Sequence, residues 1–447
     1  ESEFTAAFRN WWTRQQGMSW SDEIARSFAN HRVVPADNPA EDTPAQAARR
    51  AFLASDVGIR IDLFFGGGSF DFFQQARAGR LVDSGILVRH AEWFGPDGIP
   101  QSLGGEPYYD AEGLWIGTAL SAFGICSNRD SLQRLGLAAP PSQWSDLGDP
   151  ILMGQVAMAD PTKSGSIAKA YEMLIQQQML EAKREGLAEP EVAGWARGLQ
   201  LLQRISGNAR YFTDAASKIV LDVALGDAAA GMSIDFYGRQ QMEAVADADG
   251  NSRVIYISPV GGTSVGVDPI GLLRGAPHRE VAIAFIDFVL SPKGQRLWNQ
   301  KPGTPGGPER FALRRLPVQP SLYDPAERHL RSDPDVFPYE DAKAFDYRSE
   351  WTGPLFSALR FVVRVMSLEA HDEMRTAWRA LVEAGFPPEA TRVFHDVEAV
   401  AYPVARDRIA KVLASDDKLA EVTLARELTS HFRKQYAKAA ELARQGK

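Results

Sequence analysis

Apolar residues along the chain alternate between two rhythms over the first three hundred positions. Short, nearly continuous apolar runs occupy residues 59–65, 155–159, 228–234, 253–259 and 270–273, and glycine, proline or aspartate closes most of them. Runs of that length with turn residues at their ends predict strands buried on both faces, the pattern of a parallel sheet. Between the runs the spacing becomes helical. Ile167, Ala170, Tyr171, Leu174 and Ile175 fall at i, i+3, i+4, i+7 and i+8, one face of an amphipathic helix. Ala216, Ile219, Val220 and Val223 mark a second helix, with Asp214 expected as its N-cap and Gly226 as its stop. Val281, Ala284, Phe285, Phe288 and Val289 form the stripe of a third, with Pro277 in its first turn and Ser291-Pro292 capping a further helix.

The remaining segments fit the same alternation. Residues 1–30 read as helical, with Phe4, Phe8, Trp11 and Trp12 on one side. A Pro/Asp/Asn-rich loop follows over 31–44 and a short helix over 45–53. The 59–65 run stops at Gly66-Gly67-Gly68, and a helix resumes over 71–78 until Gly79. Residues 108–128 are too long for one strand and predict two, bent at a glycine. Strand and helix in alternation predict α/β layers around a mostly parallel sheet. From Lys301 the character changes: KPGTPGGPER reads as a linker, and the rest is helical. The chain ends on a long stripe of Val422, Ala425, Leu428, Phe432, Tyr436, Ala439 and Leu442. That stripe is too apolar to stay solvated, so the tail from about Tyr323 is expected to pack onto the body; the alternative is a free coiled coil used for dimerisation.

Composition narrows the partners. The formal net charge of -8 over 447 residues argues against nucleic acid or an anionic membrane, which both attract basic surfaces. It leaves open an anionic small molecule, which feels the local field of its site. The single cysteine, Cys126, excludes an internal disulfide and a thiolate zinc site, and its apolar setting SAFGICSN predicts a buried, inert thiol. Cysteine poverty fits the cytosol and also many bacterial periplasmic proteins. No run of 18 apolar residues is present, and no signal peptide is visible, so an exported protein would be a mature form or a fragment.

Signatures of catalysis are sparse. The seven histidines are scattered without an HExxH pair, so neither a metal site nor a cofactor is expected. Asp62, Asp235 and Asp268 could each serve as a base, but no spacing joins them to a nucleophile. Gly66–Gly68 follows a strand without the spacing of a dinucleotide loop; it is either a plain tight turn or a loop whose N–H groups face a ligand. At 160–166, DPTKSGS, a strand delivers small polar residues to a helix N-terminus. Unsatisfied N–H groups and the helix dipole favour anions there, although ordinary N-capping by Ser164 explains the same residues.

Four stretches together resemble the type II periplasmic solute-binding proteins of ABC importers, in the branch that includes iron(III), thiamine and polyamine binders. They are DLFFGGGSFDFFQQARAGRLV (62–82), MADPTKSGS (158–166), LDVALGDAAAGMSIDFY (221–237) and LLRGAPHREVAIAFIDFVLSPKGQRLW (272–298). The last is the most specific. The resemblance implies an α/β, two-lobe fold with a hinge and a C-terminal helical extension. Lobe one would comprise 1–120 plus 256–300, lobe two 121–255, with hinge strands near 118–126 and 253–262, and 301–447 would be linker and extension. It implies a periplasmic binder rather than an enzyme, which captures a small polar, anionic solute between its lobes, closes, and docks on a membrane permease. The family loops carry ligand contacts onto Gly67, Gly68, Ser69, Thr162, Ser164, Gly165, Ser166, Asp235 and Tyr237. Asp235 suits a hydroxyl or amine on the ligand, which favours a phosphorylated or carboxylated metabolite over bare phosphate. Ferric iron is the alternative. Ferric binders often end the corresponding strand with two adjacent tyrosines, and here Phe236-Tyr237 stands in that place. A sensor or an enzyme on the same fold are further alternatives. The family opens with a strand, a helix and a second strand, so an N-terminal segment with a signal peptide and one cleft loop is expected to precede Glu1.

Overall fold

Two separate five-stranded sheets organise the chain, one in each of two compact units. The structure, a computed structural model, describes residues 2–415 and 417–447. Unit one takes the residues up to Leu103, Pro107–Leu120 and Gly266–Phe337; unit two takes Gly104–Glu106, Ser121–Val265 and Pro338–Lys447. Residues 301–447, expected as one linker and extension, therefore divide at Phe337. No helix among the described residues is long and apolar enough to cross a membrane.

In unit one the strand order is Leu63–Phe65, Gly266–Leu273, Ile116–Ser121, Leu316–Pro317, and Leu81–Val82 also pairs with Gly266–Leu273. The 59–65 run, expected as a buried parallel strand, is extended in the sheet only over Leu63–Phe65, and its pairing is antiparallel. Arg60 has φ +63°, a left-handed conformation that interrupts an extended chain, and the strand lies at the sheet edge with Phe65 43% exposed. The N-terminal aromatic side is largely as expected. Phe4, Phe8 and Trp12 are buried, and the Phe8 ring lies 4.6 Å from Phe28 and 5.3 Å from Phe52. Buried Arg49 donates to the carbonyls of Phe28, Arg77 and Ala78 at 2.7–3.1 Å and so ends the helix Ser69–Arg77.

The helix Arg279–Leu290 turns a different face inward from the one its stripe predicts. Ala282, Ile286, Val289 and Leu290 are buried, whereas Val281, Phe285 and Phe288 are exposed. This helix is apolar on most sides, so spacing alone cannot choose the face that meets the sheet. Pro277 precedes it, and His278 takes the N-cap position.

In unit two the order is Val254–Ile257, Phe123–Asn128, Ala230–Ile234, Val156–Ala159, Ala209–Thr213. The last three are parallel to one another, and the first two run antiparallel to their neighbours. The 108–128 segment does split in two, but at Ala122 rather than at a glycine. Gly124 lies inside a strand because a Cβ there would come within 2.3 Å of the Ile257 carbonyl oxygen. Asp214 is not the cap of the helix Ala216–Leu225; Ala215 holds that position, and Gly226 ends the helix in the left-handed conformation. Cys126 is fully buried, and burial pushes its thiol pKa up to about 12.

The 338–447 segment is built into the core of unit two. Trp195 donates to the Val400 carbonyl at 2.9 Å, Trp378 to Asn208 at 2.7 Å, and Tyr436 to the Met366 carbonyl at 3.1 Å. Of the terminal stripe on the helix Lys418–Arg444, only Val422 is exposed, at 48%. His395 joins this packing, with Nδ1 3.3 Å from Gln203 Oε1. Burial, aided by Arg204, lowers its pKa from 6.5 to about 4. The folded protein keeps this ring neutral, while the unfolded chain protonates it below about pH 6.5. Its contribution is complete above pH 6.5 and is lost as the pH falls toward 4. Denaturant titrations at pH 7 and pH 4.5 should show His395→Gln cutting the acid-induced loss of stability by roughly 2–3 kcal/mol.

Candidate functional site

In unit one, Gly66 and Gly67 have φ of +83° and +88°, a consecutive left-handed pair that suits glycine. The Gly66 N–H donates to the Pro269 carbonyl at 2.9 Å, which ties the turn to the neighbouring strand. Gly68 then precedes the helix Ser69–Arg77 without any side-chain cap. A Cβ at Gly68 would meet nothing within 4 Å, so the backbone there is open to approach. The N–H groups of Gly67, Gly68 and Ser69 have no partner among the described residues.

In unit two, parallel pairing brings the other candidates to one edge. Val156 aligns with Ala230 and Ala157 with Gly231, so the loops after Ala159 and Ile234 leave from the carboxyl ends of adjacent strands. That end of a parallel sheet is where α/β proteins characteristically hold ligands. The 160–166 loop is fixed from several directions. The Asp160 carboxylate accepts from the Thr162 N–H at 2.8 Å and its hydroxyl at 2.6 Å, while the Asp160 carbonyl accepts from the N–H groups of Lys163 and Ser164. The Tyr171 hydroxyl donates to the Ala159 carbonyl at 3.0 Å. Arg360 donates from Nε to the Pro161 carbonyl and from Nη2 to the Thr162 carbonyl, both at 2.7 Å. Lys163 pairs with Asp214 at 2.8 Å.

What this leaves free decides the chemistry. Ser164 is the N-cap of the helix Gly165–Arg184, and its Oγ accepts from the Ile167 N–H at 3.4 Å, so its own proton remains available. The N–H groups of Gly165 and Ser166 and the Ser166 hydroxyl have no partner among the described residues, and a Cβ at Gly165 would meet nothing within 4 Å. Tyr237 is half-buried against Phe236, with ring centroids 4.3 Å apart, and its hydroxyl has no partner among the described residues. Thr162 and Asp235 differ. The Thr162 proton is spent on Asp160. Asp235 is buried, accepts from the Phe236 N–H at 2.7 Å, and pairs with Arg239. The other two aspartates considered as bases are also engaged: Asp62 accepts from the His278 N–H at 2.7 Å, and Asp268 pairs with Arg315.

Behind the loop, the helix Gly165–Arg184 carries a buried charge cluster. Lys169 Nζ lies 3.0 Å from Glu106 and 2.9 Å from Glu172, and 3.8 Å from the centre of the Tyr347 ring. Glu172 also accepts from the hydroxyls of Tyr347 and Thr352, and Glu106 accepts from Ser264 at 2.6 Å. Burial opposes the Lys169 charge, but Glu106 and Glu172 outweigh it and hold the ammonium pKa well above its ordinary value. Sequence reading missed Arg360, the bracing role of Asp160 and this cluster. Arg360 and Tyr347 sit in the tail, where no motif connects them to a strand-end loop nearly two hundred residues earlier. Among the described residues, no group of three or more His, Cys, Asp or Glu could hold a metal ion.

The chain is similar to several proteins of known sequence or structure. The phosphoglycerate transport regulatory protein of Salmonella typhimurium is 30% identical over 215 residues, 46% of this chain and 48% of that protein. The chain thus spans about half the length of the first curated relatives it matches. Iron uptake protein A2 of Synechocystis is 27% identical over 274 residues, 57% of this chain and 69% of that protein. Among solved structures, iron-bound HitA from Pseudomonas aeruginosa aligns with a TM-score of 0.44 at 14% identity, over 80% of this chain and 95% of that one. The periplasmic binding protein AfuA of Actinobacillus pleuropneumoniae, solved with exogenous fructose-6-phosphate bound, aligns with a TM-score of 0.42 at 18% identity, over 62% of this chain and 79% of that one. The family model for the bacterial extracellular solute-binding protein matches residues 60–320, more than half of the chain, and the protein belongs to that family.

Proposed function

We propose that the protein is the periplasmic solute-binding component of an ABC importer, and that it captures a small phosphorylated or carboxylated metabolite by binding without turnover. The observation that carries this reading is the set of unused donors at a braced helix N-terminus: the Gly165 and Ser166 N–H groups and the Ser164 and Ser166 hydroxyls. Tyr237, from the adjacent strand end, adds a free hydroxyl. These groups suit an oxyanion. Donor and dipole contacts are worth about 0.3–1 kcal/mol each when exposed and up to ~2 kcal/mol when partly buried. Several of them with charge-assisted hydrogen bonds can approach the ~8 kcal/mol of a micromolar complex. Thr162 and Asp235 then serve to shape the edge rather than to touch the anion, because their polar atoms are engaged within the protein. Gly67, Gly68 and Ser69 offer a second, separate set of free N–H groups of the same kind. A relative named for phosphoglycerate transport supports this ligand class.

That relative's name also contains the word regulatory, which favours sensing as the second reading. Iron appears in the name of another relative, and ferric iron is less suited to this edge. A cation needs anionic oxygen, Asp235 is tied to Arg239, and Phe236 stands beside Tyr237.

Titration calorimetry with 3-phosphoglycerate, inorganic phosphate and ferric citrate separates these readings. Ser164→Ala combined with Ser166→Ala should weaken phosphoglycerate binding roughly tenfold or more, at about 1 kcal/mol per lost hydrogen bond. Unchanged affinity in the double variant, or a red-brown iron complex that depends on Tyr237, overturns the assignment. Arg360→Ala frees two carbonyls from a charged donor, so it should lower unfolding stability by roughly 1.5–3 kcal/mol and weaken phosphoglycerate binding as well. Arg360→Lys should recover only part of both losses, since one ammonium cannot reproduce the guanidinium fork; denaturant titration and calorimetry read the two effects separately.

A further inference from the structure

The terminal helix Lys418–Arg444 buries one face and leaves another that is basic. Arg426, Ser430 and Lys434 recur every four residues along it, and Arg433 adjoins them; all four are exposed. Together with Arg364 and Glu369 from the neighbouring segment they line an open groove of about 650 Å³. The backbone across the groove is a π-type turn, Arg364–Leu368, a wider winding that often marks functional positions.

The carboxylates of the groove are already used. Glu369 lies 3.1 Å from Arg364 Nε and accepts from the Thr429 hydroxyl at 2.5 Å, and Glu421 lies 2.7 Å from Lys418. Arg433 donates to the Glu369 carbonyl at 2.7 Å and lies 3.7 Å from Glu373. Arg426 and Lys434 have no acidic partner among the described residues. In a chain of net charge -8, two unbalanced cations on one helix face, Arg426 and Lys434, are a local feature and not the background.

The geometry also selects among anions. Single exposed ion pairs are worth about 0–1 kcal/mol and are screened over roughly 8 Å at physiological salt, so a small anion would be held weakly. From Val422 to Lys434 the groove runs along a helix rising 1.5 Å per residue, a length of about 18 Å. At the end where it begins, Val422 is 48% and Leu419 76% exposed. A long basic strip with an apolar end fits an extended chain that carries several carboxylates and an apolar residue. No aromatic face lines the groove for bases to stack on, and the acidic chain as a whole opposes an anionic bilayer.

We propose that this groove on the terminal helix is a docking surface for an acidic, apolar-anchored polypeptide segment of a partner protein. It lies in the tail and uses none of the residues assigned to solute binding. The test is fluorescence anisotropy of the full chain with a fluorescein-labelled twelve-residue peptide of glutamate and leucine, over a range of salt. The peptide should bind at low salt and be released as salt rises. Arg426→Glu with Lys434→Glu should weaken it more than tenfold, and Arg426→Lys with Lys434→Arg should retain it. Thermal melts of both double variants should match the parent, because the side chains are exposed. Leu419→Ser with Val422→Ser should weaken the peptide by a few fold. Absence of peptide binding, indifference to the charge reversal, or tighter binding to phosphatidylserine vesicles or single-stranded RNA than to the peptide overturns the proposal.

Discussion

A largely enclosed ammonium joins unit two at the point where three segments meet. Lys169 is shared by Glu106, from the short 104–106 crossing, and Glu172, from its own helix, while Tyr347 covers it from the tail. Removing the ammonium would leave two buried carboxylates facing each other. Breaking a buried pair by losing one partner costs about 3–5 kcal/mol, far more than an exposed pair contributes. The cluster therefore fixes which segments lie against the Gly165–Arg184 helix, and the position of that helix fixes everything at its N-terminus.

The donor-rich edge follows from that placement. A helix N-terminus offers donors only where its N–H groups are left unused and where the loop leading to it cannot collapse onto them. Asp160, Tyr171 and Arg360 each remove one way for the 160–166 loop to move, and together they engage carbonyls and side chains beside the free donors of Gly165 and Ser166. Preorganisation of this kind lets a few hydrogen bonds matter, because their ordering cost is met during folding. The segment after residue 338 is accordingly part of the candidate site's scaffold: it supplies Arg360 to the loop, and Tyr347 and Thr352 to the helix behind it. The outer face of its last helix is free to carry a different kind of surface.

Several elements were legible in sequence because their physics is local. The stripe Ile167–Ile175 repeats within two turns, and all five of its residues are buried. Val156–Ala159 and Ala230–Ile234 are short apolar runs that became buried strands. Gly66 and Gly67 adopt the left-handed turn that a glycine run permits, and Ser164 caps its helix. Cys126 lies in the core, as its neighbours indicate. Four family-like stretches within 62–298 were enough to place the chain among solute-binding proteins.

Other features depended on partners far along the chain. The inward face of Arg279–Leu290 was set by the sheet it met, since its own apolar residues surround the helix. The edge pairing of Leu63–Phe65 was set by Gly266–Leu273, some two hundred residues later. The burial of Asp235 with Arg239 has no signal in sequence, and Asp214 looked like a cap, a position that Ala215 takes while Asp214 pairs with Lys163. Arg360 and Lys169 carry no signature in sequence, because a guanidinium or an ammonium gains its role from the carbonyls and carboxylates placed around it. The sequence by itself determined which segments could be strand, helix or donor-rich turn, through periodicity and backbone preference within about ten residues. The tertiary structure decided which donors stay free, because hydrogen bonds and charges are satisfied by whatever group folding brings within three ångströms, regardless of its distance along the chain.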